Sequence, residues 1–457
     1  MIRRSLSEIN EMLESVEIVG DKSVQVKGVS INTREDLKGK LFIPYKGERF
    51  NGHSFVQEAF EKGAVASLWA KDEPNPPQNV PLIIVEDTLS ALQQLAESYR
   101  DELNVKVIGV TGSNGKTTTK DMVFSVLSTV YRVQKTEGNY NNHIGLPLTL
   151  LKTEEETDML VLEMGMSSRG EIEFLSKLAK PDVTIITNIG ESHLQDLGSR
   201  EEIAEAKLEI TAGLKDGSSL IYFGDEPLLQ ERVGRYSTIK RIPFGESETN
   251  DYYPVFVKQE TTGTSFTTNK VTRPFYIPVL GKHNVFNALA TIAAAQELDV
   301  PWEDIIKGLS QLKVTQMRTE LIQGKHGTTI INDAYNASPT SMKAAIQLLQ
   351  DLEGYKRRIL VLGDMLELGE NERAFHVETG ATIDPARVHL VYTYGELGQY
   401  IAEGAKSKLA KDKVKSFLNK DELMNDLVQE VKENDVVLVK ASRGMKLEEV
   451  VEQLKED

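Results

Sequence analysis

The chain has 457 residues, 40% hydrophobic and 27% charged, with a formal net charge of −16 and no cysteine. That length calls for two to four domains rather than one core. The acidic balance offers no footprint for nucleic acid and repels anionic membrane surfaces, while the lack of cysteine excludes disulfides and thiolate metal sites and fits a reducing compartment.

In chain order, 1-MIRRSLSEINEMLESVEIVG has a basic pair without the apolar stretch of an export signal. Leu6, Ile9, Leu13 and Val16 recur at helical spacing and predict an amphipathic first helix. No apolar run approaches about 18 residues, so no membrane span is expected and the cytoplasm is the predicted location. Strand-like runs follow at 24-VQVKGVSI, 40-KLFIPY, 65-VASLWA and 82-LIIVED, with a proline-rich surface loop at 72-DEPNPPQNVP-81. A helix at 88-TLSALQQLAESYRDEL-103 closes a first domain, 1–103.

The second domain, 104–316, opens with the apolar run 105-VKVIGV, the pattern of a buried parallel strand. Further strands at 158-DMLVLEM, 182-DVTIITNI and 219-SLIYF alternate with helical patterns, which predicts a parallel sheet covered by helices. The polar stretch 252-YYPVFVKQETTGTSFTTN reads as a small antiparallel insert, and 284-NVFNALATIAAAQEL as the closing helix. The third domain, 317–457, repeats the alternation with strands at 328-TTIINDAY, 358-RILVLGDM, 389-HLVYTYG and 435-DVVLVKAS. Helices are predicted to start near Pro339, Glu370, Leu397, Asp421 and Lys446, and no G-x-G-x-x-G marks a dinucleotide site. The fold class is therefore α/β in three domains, with a central P-loop parallel-sheet domain and a C-terminal Rossmann-like domain.

Chemistry concentrates first at 109-GVTGSNGKTTTK-120. The common phosphate-loop signature needs a glycine five residues before Gly115, where Val110 stands. The context, a buried strand before and a helix after, is still that of a phosphate loop, and the spacing means a tighter one. Backbone N–H groups over Gly112, Ser113, Asn114 and Gly115 would face phosphates, Lys116 would reach the β and γ oxygens, and Thr117, followed by Thr118, would offer a hydroxyl to Mg²⁺. Glu163 ends the strand 158-DMLVLEM, at the sheet edge where open α/β sheets bind ligands, and reads as a Mg²⁺ ligand or a solvated acid. His193 lies on the loop 188-NIGESHLQDLGS after another buried strand and is a candidate ligand for a second cation.

In 199-SREEIAEAKLEITAGL, Ser199 and Glu202 fit a capping box, and Ile203, Lys207, Ile210 and Leu214 share one stripe. A lysine in an apolar stripe must snorkel, pair, lose its proton or be modified. Asn284 and Asn287 in 281-GKHNVFNALA can read an adenine edge or a ribose, although Asn284 alone also fits an N-cap. Arg318, at the expected domain junction, can neutralise a transferring phosphoryl group, and Asp333 in 332-NDAYNASPTSM, read as ending the third domain's first strand, can bind ribose hydroxyls. A surface ion pair is the ordinary alternative for both.

Taken together, TGSNGKTTT, Glu163, His193, Lys207, GKHNxxNALA, Arg318 and NDAYNASP resemble the ATP-dependent Mur ligases of peptidoglycan synthesis, in order and essentially end to end. The phosphate loop of that family has the form G-x-x-G-K-T, which accounts for the unusual glycine spacing. The segments 138-GNYNNHIGLPLTLL, 363-GDMLELGE and 439-VKASRGMKLEEVV resemble the branch that adds D-alanyl-D-alanine to a UDP-N-acetylmuramoyl-tripeptide. The stretch 30-SINTREDLKGKLFIPYKGERFNGH resembles its uridine-nucleotide domain, except that Asn32 replaces the usual acidic residue.

The resemblance implies that Lys116, Glu163, His193, Lys207 and Arg318 carry catalysis, with ATP and two Mg²⁺ ions as cofactors. It implies metal ligation by Thr117, Glu163 and His193, a carbamylated Lys207, and adenine and ribose contacts from Asn284, Asn287 and Asp333. Substrate contacts would come from Ser30, Thr33, Arg34, Lys46, Gly47, Asn139, Asn141 and Asn142. It further implies UDP-N-acetylmuramoyl-tripeptide and D-alanyl-D-alanine as partners of a monomer, without nucleic acid or membrane. The nearest alternative is an amino-acid-adding Mur ligase or a folylpolyglutamate synthase. A regulatory GTPase is disfavoured, because 187-TNIG-190 lacks the Lys and Asp of a guanine reader.

Overall fold

A computed structural model describes residues 1–47 and 50–456; Glu48 and Arg49, within the 30–53 motif, lie outside the described residues. The chain divides into two compact units, the first from 1–110, 131–184 and 209–218, the second from the remaining segments. Among the described residues, no helix is long and apolar enough to cross a membrane.

In the first unit, the predicted long N-terminal helix is replaced by a strand, Arg3–Ser5, and a helix of only six residues, Leu6–Glu11. Ser5 caps that helix, its hydroxyl taking the Glu8 N–H while the Glu8 carboxylate returns to Ser5 N. The Leu13 end of the stripe falls outside the helix because the backbone turns to the strand Glu17–Val19, which pairs antiparallel with Leu82–Val85. The expected strand at 24–31 is likewise split into Gln25–Lys27 and Val29–Ser30 by Gly28 in a left-handed conformation. A five-stranded sheet results, whose core joins Leu37, Phe42, Val56, Trp69 and Leu82. Helix Thr88–Glu102 follows as predicted, capped by Asp87. The strand Lys106–Thr111 then pairs in parallel with Met159–Glu163, which pairs in parallel with Val133–Lys135. Every residue of Met159–Glu163 is buried, as parallel strands covered on both faces require.

The second unit contains the parallel pair Ser219–Phe223 and Lys240–Phe244 and the expected antiparallel insert Pro254–Gln259, Thr264–Thr268 and Phe275–Ile277. Helix Lys282–Glu297 is alanine-rich because it is buried nearly all round, and small side chains let neighbours approach on every face.

The C-terminal sheet has the order Glu320–Gly324, Thr328–Asn332, Asp435–Lys440, Arg357–Gly363, Leu390–Tyr394, Val414–Phe417, antiparallel only at its first pair. Its alternating side chains feed two cores. Ile331, Leu360, Leu362 and Leu438 pack with Met342, Ile346 and Ile401 on one face, and Ile330, Ile359, Val361 and Val439 with Leu423, Leu427 and Val451 on the other. The edge strands Glu320–Gly324 and Val414–Phe417 escape the sequence reading because they are only half-buried and carry no apolar run. Asp333 accordingly follows the second strand of this sheet, not the first.

Candidate active site

The phosphate loop leaves its strand at Thr111 and enters helix Lys116–Leu127 through Gly115, whose φ is 82°. The tight turn is made at Gly112 (φ 147°), where a Cβ would lie 1.8 Å from Thr187 Oγ1. Only a residue without a side chain fits. Segment 187–190 braces the loop: Thr187 N donates to Thr111 O at 2.9 Å and Ser113 N to Asn188 O at 3.1 Å. Asn114 N donates to Asn188 Oδ1 at 2.9 Å, and Gly190 N to Ser113 Oγ at 2.8 Å. Thr187 and Asn188 thus hold the phosphate loop in shape, a role that no local sequence pattern announces.

A cavity of about 300 Å³ opens against this loop. The structure gathers around it Ser113, Asn114, Gly115, Lys116, Thr117, Thr118, Asn284, Asn287, Arg318 and Asp333, ten of the eleven expected nucleotide residues; Gly112 supports the turn from behind. Phe223, His283, Phe286 and Lys440 also line it; His283 and Phe286 fall within 281-GKHNVFNALA and Lys440 within 439-VKASRGMKLEEVV, but none of the four is a site residue expected from the sequence. Phe223 and Phe286 contact each other, 5.5 Å between ring centres, which supplies an apolar wall for a flat base.

Lys116 Nζ donates to Gly112 O at 2.8 Å. Arg318 Nη2 lies 3.4 Å from Thr117 Oγ1, with the guanidinium stacked 4.0 Å over the Tyr335 ring. Its neighbours Met317 and Thr319 both have positive φ, 63° and 54°. Such conformations disfavour side chains and are retained where surrounding structure imposes them. Asn114 Nδ2 and Arg318 Nε are buried without a hydrogen-bond partner, the state expected of groups that serve a polar ligand.

Asn284 is not the cap of its helix, because the helix starts two residues earlier, at Lys282, with Gly281 at the cap. Its Nδ2 donates to Leu280 O at 2.8 Å, and its Oδ1 accepts from Asn287 Nδ2 at 3.0 Å, so the two amides are locked together. Asp333 Oδ2 pairs with Lys440 Nζ at 2.5 Å, and Oδ1 accepts from Thr319 N at 3.2 Å. Burial beside this pair pushes the His283 imidazole below its ordinary range.

Outside the cavity, Glu163 ends its strand buried, not solvated; Oε1 accepts from Asn141 Nδ2 at 2.9 Å. Asn142 Oδ1 accepts from Gly145 N at 2.9 Å at the start of helix Gly145–Lys152, while Asn139 is exposed. Lys207 is 1% exposed near the end of helix Arg200–Leu208, which rules out snorkelling. At the predicted capping box, Glu202 N donates to Ser199 Oγ at 3.2 Å. His193 has a left-handed backbone, with Nδ1 3.2 Å from Glu367 Oε2.

Among the expected uridine residues, buried Ser30 donates to Glu35 Oε2 at 2.9 Å. Asn32 Oδ1 accepts from Arg34 N at 3.0 Å, so the amide still provides an acceptor where the resemblance expects a carboxylate. Thr33 O accepts from Lys62, and exposed Lys46 pairs with Glu73 at 3.0 Å. Gly47 pairs with Phe50 in a two-residue hairpin strand.

The chain matches three family models: the Mur ligase family catalytic domain over residues 25–100, the Mur ligase middle domain over 110–295, and the Mur ligase glutamate ligase domain over 317–443. It is 56% identical over 456 residues to the UDP-N-acetylmuramoyl-tripeptide–D-alanyl-D-alanine ligase of Bacillus subtilis strain 168, covering 99% of each chain. Its fold is similar to crystal structure I of MurF from Acinetobacter baumannii, with a TM-score of 0.90 at 29% identity and 99% of each chain covered. It is also similar to the MurF ligase of Thermotoga maritima in complex with ADP, with a TM-score of 0.82 at 31% identity, covering 94% of this chain and 97% of that one. The chain belongs to the Mur ligase family, in the branch these relatives represent.

Proposed function

We propose that the chain is an ATP-dependent ligase that joins D-alanyl-D-alanine to a UDP-N-acetylmuramoyl-tripeptide through an amide bond, releasing ADP and phosphate. The observation that carries this reading is the cavity where a phosphate loop, Lys116, Arg318 and buried unpartnered donors converge. The domains divide the work as 1–103 for the uridine nucleotide, 104–316 for ATP and 317–457 for D-alanyl-D-alanine.

A free carboxylate does not react with an amine, because oxide is not a leaving group. The tripeptide carboxylate attacks the γ-phosphorus, the bond to the β-bridging oxygen breaks, and ADP leaves an acyl phosphate. The amine of D-alanyl-D-alanine then attacks the acyl carbon; the tetrahedral intermediate expels phosphate and the nitrogen loses a proton. Lys116 and Arg318 neutralise charge around the transferring group, and the backbone N–H groups at the helix start, 115–117, hold the phosphates, since those of Ser113 and Asn114 are taken by Asn188. Asn284 and Asn287 face the adenine and Asp333 the ribose. Asn139, Asn141 and Asn142 border the muramoyl-peptide, with Asn141 also orienting Glu163. Substrates held by separate domains must bring their reacting atoms within about 3–3.5 Å, and the strained Met317–Thr319 segment supplies a hinge that carries Arg318 with it.

The donors present suit Mg²⁺: a buried threonine hydroxyl opens the loop's helix, and a buried carboxylate ends the strand Met159–Glu163. Thr117 and Glu163 would hold one ion and His193 a second, neutralising the phosphates and the substrate carboxylate. Buried Lys207 is proposed to be carbamylated, which turns a cation into a carboxylate-like group that can ligate or orient a metal.

A coupled phosphate-release assay over a panel of peptide acceptors and amines tests the reading. Phosphate release should require the UDP-tripeptide and D-alanyl-D-alanine together; equal release with single amino acids would favour the amino-acid-adding relatives.

A further inference from the structure

The loop carrying His193 is tied to the C-terminal part of the chain at three points. Glu191 Oε2 accepts from Thr340 N and Oγ1 at 3.2 and 2.7 Å, in the first turn of helix Pro339–Asp351. Gln195 N donates to Glu367 O at 3.2 Å. The Glu367 carboxylate stands 3.2 Å from His193 Nδ1. Both His193 (φ 63°) and Glu367 (φ 64°) hold left-handed backbones, a conformation disfavoured for residues with side chains unless neighbours impose it.

The segment bearing Glu367 is fixed from behind. Met365 N donates to the buried His376 Nε2 at 2.9 Å, Leu366 N to Ser442 Oγ at 2.9 Å, and Ser442 N to Asp364 O at 3.0 Å. Glu367 is thus presented from a rigid base although its own side chain is largely exposed.

We propose that Glu367 is a positioning residue for His193. A carboxylate accepts and does not donate, so at Nδ1 it favours the tautomer with the proton there and leaves the Nε2 lone pair for a ligand. Metal-binding imidazoles are commonly oriented by such a carboxylate on their second nitrogen. Because Glu367 and Thr340 both come from the C-terminal domain, the ring is set only while that domain engages loop 188–199. The binding of the amine donor's domain and the readiness of His193 are therefore one event. This rests on reading His193 as a metal ligand.

The test uses full-length protein labelled with ¹⁵N-histidine, with the His193 signals assigned by their loss in His193→Ala. Metal-free wild-type protein should show His193 as the Nδ1–H tautomer. Glu367→Ala should shift it toward the Nε2–H form, whereas Glu367→Gln, which keeps an acceptor oxygen, should retain most of the wild-type state. Mn²⁺ titration followed by electron paramagnetic resonance, with a non-hydrolysable ATP analogue bound, should show affinity lowered about 10-fold or more in Glu367→Ala. An unchanged tautomer in Glu367→Ala overturns the proposal. A shifted tautomer with wild-type Mn²⁺ affinity in both Glu367→Ala and His193→Ala upholds the positioning but removes His193 from the metal site.

Discussion

Replacing Asp333 with alanine separates its pairing with Lys440 from the ribose contact proposed for it. Asp333 pairs with Lys440 at 2.5 Å, the lysine side chain being only 4% exposed. Removing one partner of a buried pair costs about 3–5 kcal/mol, because the other charge stays behind in the interior. The lower end applies here, since Asp333 is 17% exposed and Lys440 keeps its bond to Asn336 O at 3.0 Å. Loss of the acceptor for Thr319 N adds about 1 kcal/mol, giving about 4 kcal/mol in all. The double variant Asp333→Ala, Lys440→Met removes both charges and should recover all but about 1 kcal/mol, as apolar replacements of buried pairs generally do. If Asp333 also binds the ribose, ADP affinity should stay at least about 10-fold weaker in the double variant, because a hydrogen bond to a charged group contributes about 1.5–3 kcal/mol. Denaturant unfolding and calorimetric ADP binding measure the two effects separately. A single variant within about 1 kcal/mol of wild type would refute the buried-pair reasoning, and wild-type ADP affinity in the recovered double variant would refute the ribose contact.

Lys116→Ala should abolish ADP formation while leaving binding of the uridine nucleotide nearly intact, as fluorescence titration would show; loss of both would place the phosphate site wrongly. Lys207→Ala should be inactive and partly rescued by small carboxylic acids that stand in for a carbamate, and wild-type activity would exclude that chemistry. Burial holds the His376 imidazole below its ordinary range, with its Nε2 accepting from Met365 N. The unfolded chain therefore takes up this proton first, so the histidine's contribution is complete above about pH 6.5 and is lost as pH falls below it, by at most about 1.4 kcal/mol per pH unit. Unfolding midpoints between pH 7.5 and 5.5 should fall more steeply in wild type than in His376→Gln; parallel slopes would refute the assignment.

Long periodic elements and local motifs were the readable part. Buried runs such as 105-VKVIGV and 435-DVVLVKAS mark parallel strands because both faces must be apolar. The phosphate loop is visible because its glycines are demanded by local geometry, at Gly112 and Gly115. The N-terminal stripe misled for the opposite reason: helical spacing persists over 6–16, yet pairing with Leu82–Val85 recruits the following residues into a strand. Asn141 and Asn142 look alike in sequence, and their different bonding, to Glu163 and to a helix start, follows from where the backbone places them.

The α/β alternation, the phosphate loop and the family are legible from residue order alone, since they depend on local patterning and on residue types required by chemistry. That Lys207 is buried, that Lys440 answers Asp333, that Phe223 and Phe286 line the cavity together, and that Glu367 faces His193 emerges only from the folded chain. Those pairings join residues from 63 to 174 positions apart, and no local propensity encodes a contact whose partner arrives only when the chain has folded.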